Sequence, residues 1–225
     1  MTPTQNRPLI VGAGGHGKVV ADILRAAGIE PAGFIDADES RWGSQIMRIP
    51  VLGGMLQLEK IARATGARSA VVAIGDNRVR REHAREVERA GLALASAIHP
   101  SSTISPEAGI GQGVVICMGA AICVEARIGD LAIINTNATV DHECDVGAAA
   151  HVCPNASLAG RVRIGEGAFI GIGASVIQCR RVGDWATIGA GAVVIRDIHD
   201  GATAVGVPAQ VAASQASYPR ASSVG

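Results

Sequence analysis

The chain has 225 residues with 20 basic and 20 acidic side chains, so it carries no formal net charge at pH 7. This balance argues against nucleic acid or an anionic membrane surface as a partner, and no apolar run approaches the roughly 18 residues of a membrane span. The 29 glycines and the 2% aromatic content favour a repetitive core of small and β-branched side chains.

Residues 8–97 alternate strand and helix signals, which is typical of a small parallel α/β domain. The polar start of the chain lacks the features of a signal peptide, so we expect a cytoplasmic protein. Four strands are predicted, over 9–11, 32–35, 69–74 and 92–97. Three helices are predicted, over 18–27, 56–65 and 78–90.

A glycine-rich loop joins the first strand to the first helix. Gly12, Gly14 and Gly17 fit the pattern G-x-G-x-x-G, and Asp36 ends the second strand. Free N–H groups at a helix N-terminus can hold a pyrophosphate. The N-terminal domain has room for only one mononucleotide-binding half, so we expect a nucleotide sugar here rather than NAD; an unliganded tight turn is the alternative. The predicted contacts are Gly14, His16, Asp36 and Gly75.

From Ile98 to Val194 an aliphatic residue recurs every six positions. All 17 positions of this series hold Ile, Val or Leu, and Ala stands two residues earlier at 11 of them. The pattern predicts a parallel β-helix in which three hexads close one coil, so that equivalent residues of successive coils stack about 4.8 Å from each other. We expect Gly or Asn wherever a corner requires positive φ, and we expect the hexads to stop after Val194.

This register resembles that of the hexapeptide-repeat acyltransferases, over residues 98 to about 211. The resemblance implies a left-handed β-helix, against the usual crossover rule. It also implies a homotrimer, with acetyl-CoA in the groove between adjacent prisms and each active site between subunits. An inert scaffold or binding platform is the alternative.

Three N-terminal motifs narrow the resemblance. VGAGGHGKVVADIL, FIDAD and IGDNRVR, together with the hexads, resemble the bacterial nucleotide-sugar acetyltransferases. These enzymes make N-acetylated 4-amino-4,6-dideoxy sugars of the perosamine or bacillosamine type, as in lipopolysaccharide O-antigen biosynthesis. The sialic acid O-acetyltransferases are related.

The segment from Asn135 to Cys144 interrupts the plain repeat with polar residues. His142 comes two residues after the inward Val140, so it should project outward near a corner. An amine that attacks a thioester must lose a proton, and an imidazole with an ordinary pKa of about 6.5 suits this task. By resemblance Glu143 orients His142; Asp141 is the alternative partner, and a solvated surface histidine is the alternative interpretation.

The remaining site residues follow from the register and the resemblance. Gly160 comes three hexads after His142, so it should lie one coil directly above it, where the thioester can approach and the Gly160 N–H can hold the acetyl carbonyl. A structural corner glycine is the alternative. By resemblance Asn135 contacts the sugar, and His151 donates a hydrogen bond to the substrate or the thioester. The predicted contacts to the cosubstrate are His151, Gly160, Ala190, Gly206 and Pro208, the last two in a closing loop along CoA.

We therefore predict a nucleotide-sugar-binding α/β domain (1–97), an acetyltransferase β-helix (98–211) and a disordered tail (212–225). The reaction is N-acetylation of a nucleotide-linked 4-amino sugar by acetyl-CoA, with no metal. An O-acetyltransferase and a non-catalytic nucleotide-sugar-binding solenoid are the alternatives. The sequence leaves GDP and UDP open, with a slight preference for GDP-perosamine. The five cysteines form no CxxC pair and are expected to be reduced.

Overall fold

The computed structural model describes residues 7–212, and the chain divides into two compact units between Ala97 and Ile98. The N-terminal unit contains the strands β1 (Leu9–Val11), β2 (Gly33–Ile35), β3 (Gln45–Ile46), β4 (Ile49–Gly53), β5 (Ser69–Val72) and β6 (Ala93–Leu94). Its helices are α1 (Gly15–Ala26), α2 (Leu58–Thr65) and α3 (Asn77–Arg89), with single 3₁₀ turns at Glu39–Arg41 and Met55–Gln57.

The six strands form one sheet in the order β3-β4-β2-β1-β5-β6. All pairs are parallel except β3 with β4. The residues of β1 and β5 are entirely buried, as expected for central strands of a parallel sheet. The strand order reverses at β1, so the loops that follow β1 and β5 lie side by side at the edge where such sheets bind ligands.

The hairpin β3–β4 has no counterpart in the sequence prediction. Its two-residue turn consists of Met47 and Arg48, which have φ values of 53° and 64°. A turn of this shape usually carries Asn or Gly. Because Met and Arg occupy it here, the residues that signal a hairpin are missing from the sequence.

The C-terminal unit is a three-walled parallel β-helix. The first wall consists of β7 (Ala97–Ile98), β10 (Val115–Ile116), β13 (Ile133–Ile134), β16 (His151–Val152), β19 (Phe169–Ile170), β22 (Thr187–Ile188), β24 (Thr203–Val205) and β25 (Gln210–Val211). The second consists of β8 (Thr103–Ile104), β11 (Ala121–Ile122), β14 (Thr139–Val140), β17 (Ser157–Leu158), β20 (Ser175–Val176) and β23 (Val193–Val194). The third consists of β9 (Gly109–Ile110), β12 (Arg127–Ile128), β15 (Asp145–Val146), β18 (Arg163–Ile164) and β21 (Arg181–Val182).

The predicted fold class, a small α/β unit followed by a left-handed β-helix, is confirmed. Paired strands match residues that are three hexads apart, for example Thr139 with Ser157. The aliphatic residues of the hexads from Ile116 to Val194 are at most 3% exposed and form the core of the prism. At its open first coil Ile98 is 37% exposed.

The coil continues beyond the last hexad. The six-residue spacing ends at Val194, as predicted, but the stacking of strands does not end with it. Ile198 and Ala204 are buried and pair with Val182 and Ile188 of the preceding coil. A shorter turn keeps the wall in place, because Ala204 follows its partner Ile188 sooner than three full hexads would allow.

Two positions of the hexad favour glycine for different reasons: one requires positive φ, and the other requires close contact with the next coil. The third residue after the aliphatic one has positive φ, and it is Gly or Asn at some corners but not at others. The exceptions are Glu125, Leu131, Glu143, Ala149, Arg161, Cys179 and Trp185, so the expectation of Gly or Asn holds only in part. Glycines directly after the aliphatic residue serve coil contact instead: a Cβ on Gly147 would lie 2.6 Å from the backbone nitrogen of Glu166.

The predicted tail (212–225) lies outside the described residues except for Ala212, whose N–H donates to the carbonyl of Thr203 at 2.8 Å. Among the helices that the structure describes, none is long and apolar enough to cross a membrane.

Candidate active site

His142 lies at the corner between the second and third walls, where the chain leaves β14. Val140, two residues earlier, is fully buried, so the turn that follows directs His142 outward. The backbone N–H of His142 donates to Oδ1 of Asp141 at 2.7 Å, and Glu143 has a φ of 57° that turns the chain toward β15. The His142 side chain is 46% exposed, which leaves room for a substrate to reach it.

The His142 imidazole is held by a carboxylate that is itself held by an arginine. Nδ1 of His142 lies 2.9 Å from Oε2 of Glu143, and Nε of Arg161 donates to the same oxygen at 2.9 Å. The Arg161 hydrogen bond, followed by the one from His142, lowers the pKa of Glu143. An ionised Glu143 accepts a hydrogen bond from the Nδ1–H group, which leaves the Nε2 lone pair of a neutral imidazole free.

Of the two acidic neighbours of His142, Glu143 contacts the ring and Asp141 contacts the backbone. The Asp141 carboxylate also interacts with Cys123 on the preceding coil, where burial and that carboxylate raise the pKa of the thiol. Asp141 therefore shapes the corner, and Glu143 is in the position that the predicted orienting residue requires.

Gly160 lies one coil from His142, against its imidazole. A Cβ at residue 160 would overlap Nε2 and would come within 2.5 Å of Cε1. The space opened by this glycine is therefore taken by the ring, and the expected approach of the thioester to Gly160 stays a prediction. The Gly160 N–H has no acceptor among residues 7–212, so its predicted contact to the acetyl carbonyl stays a prediction.

Asn135 and His151 lie together on the outer face of the first wall. The Asn135 amide nitrogen is 3.0 Å from Nε2 of His151, while its oxygen accepts the Thr136 N–H at 2.8 Å. The His151 ring is 8% exposed and meets Phe169 edge-on, with 5.3 Å between ring centroids. Because the His142 corner lies between the other two walls, one chain does not bring Asn135 and His151 together with His142.

A shallow groove of about 340 Å³ runs along the outer face of the second wall. It is lined by the small or polar residues Thr139, Asp141, Ser157, Ala159, Ser175 and Gln178 and by the aliphatic residues Leu158, Val176 and Ile177. Gln178 stacks in the same column as His142 and Gly160, so the groove borders the His142 corner. Such a surface is shaped for an extended ligand with few bulky groups.

The closing loop lies at the end of this second wall. The Gly206 carbonyl accepts the N–H of Val193 at 3.0 Å, and the N–H of Ala209 donates to the Val193 carbonyl at 2.8 Å. The bond between Val207 and Pro208 is cis. Ala190 is exposed at the corner between the first and second walls, so the predicted cosubstrate contacts Ala190, Gly206 and Pro208 all lie next to the second wall.

In the N-terminal unit the glycine loop leads into α1 with Gly14 as its N-cap, and no side chain caps the helix. A Cβ on Gly14 or Gly15 would meet nothing within 4 Å, so the first-turn N–H groups are open to a ligand. Nε2 of His16 is buried without a hydrogen-bond partner among the described residues. Burial and, secondarily, Arg80 lower the pKa of His16 to about 4, so this ring is neutral at pH 7.

Gly75 lies beside this loop, after β5, and its carbonyl accepts a hydrogen bond from the buried Arg80 at 3.2 Å. Asp36 lies at the carboxyl end of β2 and is bound to the protein itself. Its Oδ2 accepts the Ala13 N–H at 2.7 Å and its Oδ1 accepts the Asp38 N–H at 2.9 Å. Asp36 thus holds the glycine loop in shape, and its contact to a substrate stays a prediction.

Sequence reasoning missed Arg161. The signal was present, because Arg161 comes three hexads after Glu143 and must therefore stack on it.

Within residues 7–212 no group of three or more His, Cys, Asp or Glu side chains is placed to hold a metal.

Comparisons with known families match both units. Residues 8–87 match the PglD N-terminal domain family, and residues 161–196 match the bacterial transferase hexapeptide family of six repeats. A comparison with curated proteins found no significant match.

Solved structures resemble nearly the whole chain. PerB from Caulobacter crescentus, in complex with CoA and GDP-perosamine, is 45% identical over 92% of this chain and 97% of its own, with a TM-score of 0.87. A histidine-to-alanine variant of GDP-perosamine N-acetyltransferase from the same organism, also with CoA and GDP-perosamine, has a TM-score of 0.89 at the same identity and coverage. The acetyltransferase domain of PglB from Neisseria gonorrhoeae, in complex with acetyl coenzyme A, is 39% identical over 92% of this chain and 100% of its own, with a TM-score of 0.86.

Proposed function

Because the chain belongs to the family of nucleotide amino-sugar N-acetyltransferases, we propose that it transfers the acetyl group of acetyl-CoA to the C4 amine of GDP-perosamine. The observation that carries this is the His142–Glu143 pair, 2.9 Å apart, in a chain 45% identical over nearly its full length to an enzyme seen with CoA and GDP-perosamine. The histidine variants of that enzyme also support a central role for a histidine.

In the proposed mechanism the neutral C4 amine attacks the thioester carbonyl carbon. Nε2 of His142 takes the proton that the amine loses as the C–N bond forms, and Glu143 stabilises the resulting imidazolium through Nδ1. When the C–S bond breaks, the CoA thiolate leaves and recovers that proton from His142. The products are the amide and CoA–SH, and the imidazole returns to its neutral form.

The groove of the second wall is proposed to hold the pantetheine arm of acetyl-CoA, because it borders His142 and combines small residues with the aliphatic Leu158, Val176 and Ile177. The N–H of Gly160, beside the ring, is proposed to donate to the oxyanion of the tetrahedral intermediate. The closing loop, with Gly206 and Pro208, is proposed to contact the distal part of CoA, and Ala190 the pantetheine arm.

The nucleotide sugar is proposed to bind through its pyrophosphate at the glycine loop of the N-terminal unit. The open N–H groups after Gly14 suit an anion, and the uncharged His16 ring is suited to a hydrogen bond with the phosphate or sugar. Gly75, next to this loop, is proposed to allow close approach of the ligand.

A homotrimer is proposed as the active form. His142 and the Asn135–His151 pair lie on different sides of one prism, so a single chain cannot present all three to one substrate. A neighbouring prism that sets its first wall against the His142 corner would complete the site. The five free cysteines fit the proposed cytoplasmic location, where thiols stay reduced.

The test is a direct assay of acetyl transfer with the purified full chain. Release of CoA thiol and product mass are followed with GDP-perosamine, a UDP-linked 4-amino sugar and the 4-hydroxy analogue of the GDP sugar. We expect turnover to be fastest with GDP-perosamine and slowest with the hydroxy analogue, and to fall by about a thousandfold or more in His142→Asn. Faster acetylation of the hydroxy analogue would instead indicate an O-acetyltransferase, and absence of CoA binding by calorimetry would indicate a non-catalytic solenoid.

A further inference from the structure

We propose that Arg161 is a positioning residue for the acetyl transfer, which holds Glu143 against His142 and opposes the protonation of the imidazole. Only the expected effect on the rate of acetyl transfer rests on the proposed function. The effect of Arg161 on the His142 ring can be measured in the protein without substrates.

The geometry gives the guanidinium a defined contact with this pair. Nε of Arg161 and Nδ1 of His142 both lie 2.9 Å from Oε2 of Glu143. Two donors that share one oxygen fix the rotamer of the carboxylate more firmly than one donor does. Because Glu143 is 39% exposed, it would otherwise be free to turn into solvent.

The same contact changes the electrostatics of the pair. Without Arg161 the Glu143 carboxylate would attract only the imidazolium, and the proton affinity of His142 would rise. The guanidinium neutralises part of that attraction, so Arg161 favours the neutral imidazole that can accept a proton. The partnership is reciprocal, because the hydrogen bond that Arg161 donates to Glu143 raises the pKa of Arg161.

The other titratable groups near His142 do not replace this effect. Asp141 adds negative charge to the same corner and would favour the imidazolium, and Cys123 beside it is held as a neutral thiol. Cys179, stacked above Arg161, interacts electrostatically with the guanidinium, and Cys144 is buried behind the corner. Arg161 is therefore the cation among these groups that faces Glu143.

The position of Arg161 in the hexad supports a specific role for the side chain. Its φ is 61°, a conformation that Gly or Asn adopts at lower cost. Gln and Lys carry the same Cβ penalty as Arg, so Arg161→Gln and Arg161→Lys keep the backbone strain constant. Gln retains a hydrogen-bond donor without charge, and Lys retains the charge without the planar Nε–H.

The first experiment measures the titration of the His142 ring directly. NMR signals of the His142 Cε1–H are followed against pH in the full chain without substrates, and are assigned through His142→Asn. In Arg161→Gln we expect the midpoint to rise by about 0.5 pH unit relative to wild type. Arg161→Lys should restore the wild-type midpoint, and the control Arg163→Gln, an exposed arginine on the third wall of the same coil, should leave it unchanged.

The second experiment measures the kinetic consequence. The acid limb of kcat/KM against pH should move upward in Arg161→Gln by the same amount, while KM for both substrates stays within twofold. An unchanged or lowered His142 midpoint in Arg161→Gln overturns the proposal. A shifted midpoint in a protein that transfers no acetyl group supports the role of Arg161 and overturns the proposed function alone.

Discussion

At the scale of single residues, the site depends on what stacks one coil further along the chain. Gly160 leaves space for the His142 ring, and Arg161 reaches the carboxylate that holds that ring. Both are neighbours of the His142–Glu143 pair on the next coil. Residues that are far apart in the chain thus act as one group because the β-helix brings them into register.

A methyl group at residue 160 should disable the site without unfolding the protein. In Gly160→Ala the new Cβ would overlap Nε2 of His142 and approach Cε1 within 2.5 Å, so the ring must move away from its position. We expect kcat to fall about a hundredfold or more, with a melting temperature close to that of wild type. Steady-state kinetics and circular dichroism measure the two effects.

Gly109→Ala is the matched control, because a Cβ there would make only an ordinary contact, 3.8 Å from Cγ of Arg127. Wild-type kcat in Gly160→Ala would show that the ring does not need its present position for catalysis.

At the scale of elements, the strands of the prism are only two or three residues long, and the coil spacing depends on backbone contact at the corners. The glycines that follow the inward aliphatic residues permit that contact. At Gly147 the neighbours of an added Cβ would be backbone atoms of Gly165 and Glu166 at 2.6 Å. No flexible side chain is available there to give way.

Gly147→Ala should therefore destabilise the β-helix by about 2 kcal/mol or more. The measurement is the free energy of unfolding from guanidinium chloride denaturation, compared with wild type and with Gly109→Ala, which should change little. An equal midpoint for Gly147→Ala and wild type would mean that the coils separate at low cost, and that close coil contact is not what requires glycine.

At the scale of the whole molecule, one prism separates the residues that the chemistry is expected to combine. His142 lies at the corner between the second and third walls, whereas Asn135 and His151 lie on the first. If these residues serve one substrate, two chains must contribute to each active site. Whether two chains share an active site can therefore be tested by measuring acetyl transfer in assemblies of two different variants.

If the proposed homotrimer is the active form, mixed trimers should recover activity from two inactive variants. One variant carries His142→Asn and the other carries Asn135→Ala with His151→Ala, and the two are co-refolded or co-expressed in equal amounts. A site works only when the chain that supplies His142 and the neighbouring chain that supplies the Asn135–His151 pair each carry the wild-type residues at those positions. In random assembly each condition is met half of the time, so the expected turnover is about a quarter of wild type. Separately purified variants, mixed without subunit exchange, should stay inactive. Recovery at the background level in verified mixed trimers would place the three residues in one chain's site.

The amino-acid sequence by itself determined the periodic features of this protein. The hexad register predicted the prism and its core, and the spacing of three hexads was sufficient to place Gly160 beside His142. The glycine loop and the alternation of strands and helices predicted the N-terminal sheet. These features are local or strictly repetitive, so residue spacing is sufficient to specify them.

Only the tertiary structure decided the remaining features, because they depend on where side chains point and on contacts without a fixed spacing. It directed Glu143 rather than Asp141 to the ring, and engaged Asp36 with backbone donors instead of leaving it open. It also filled the space beside Gly160 with the imidazole. The β3–β4 hairpin was not predicted because its turn lacks Gly and Asn. Asn135 and His151 lie away from His142 because they are on the first wall of the prism, whereas His142 is at the corner between the second and third walls.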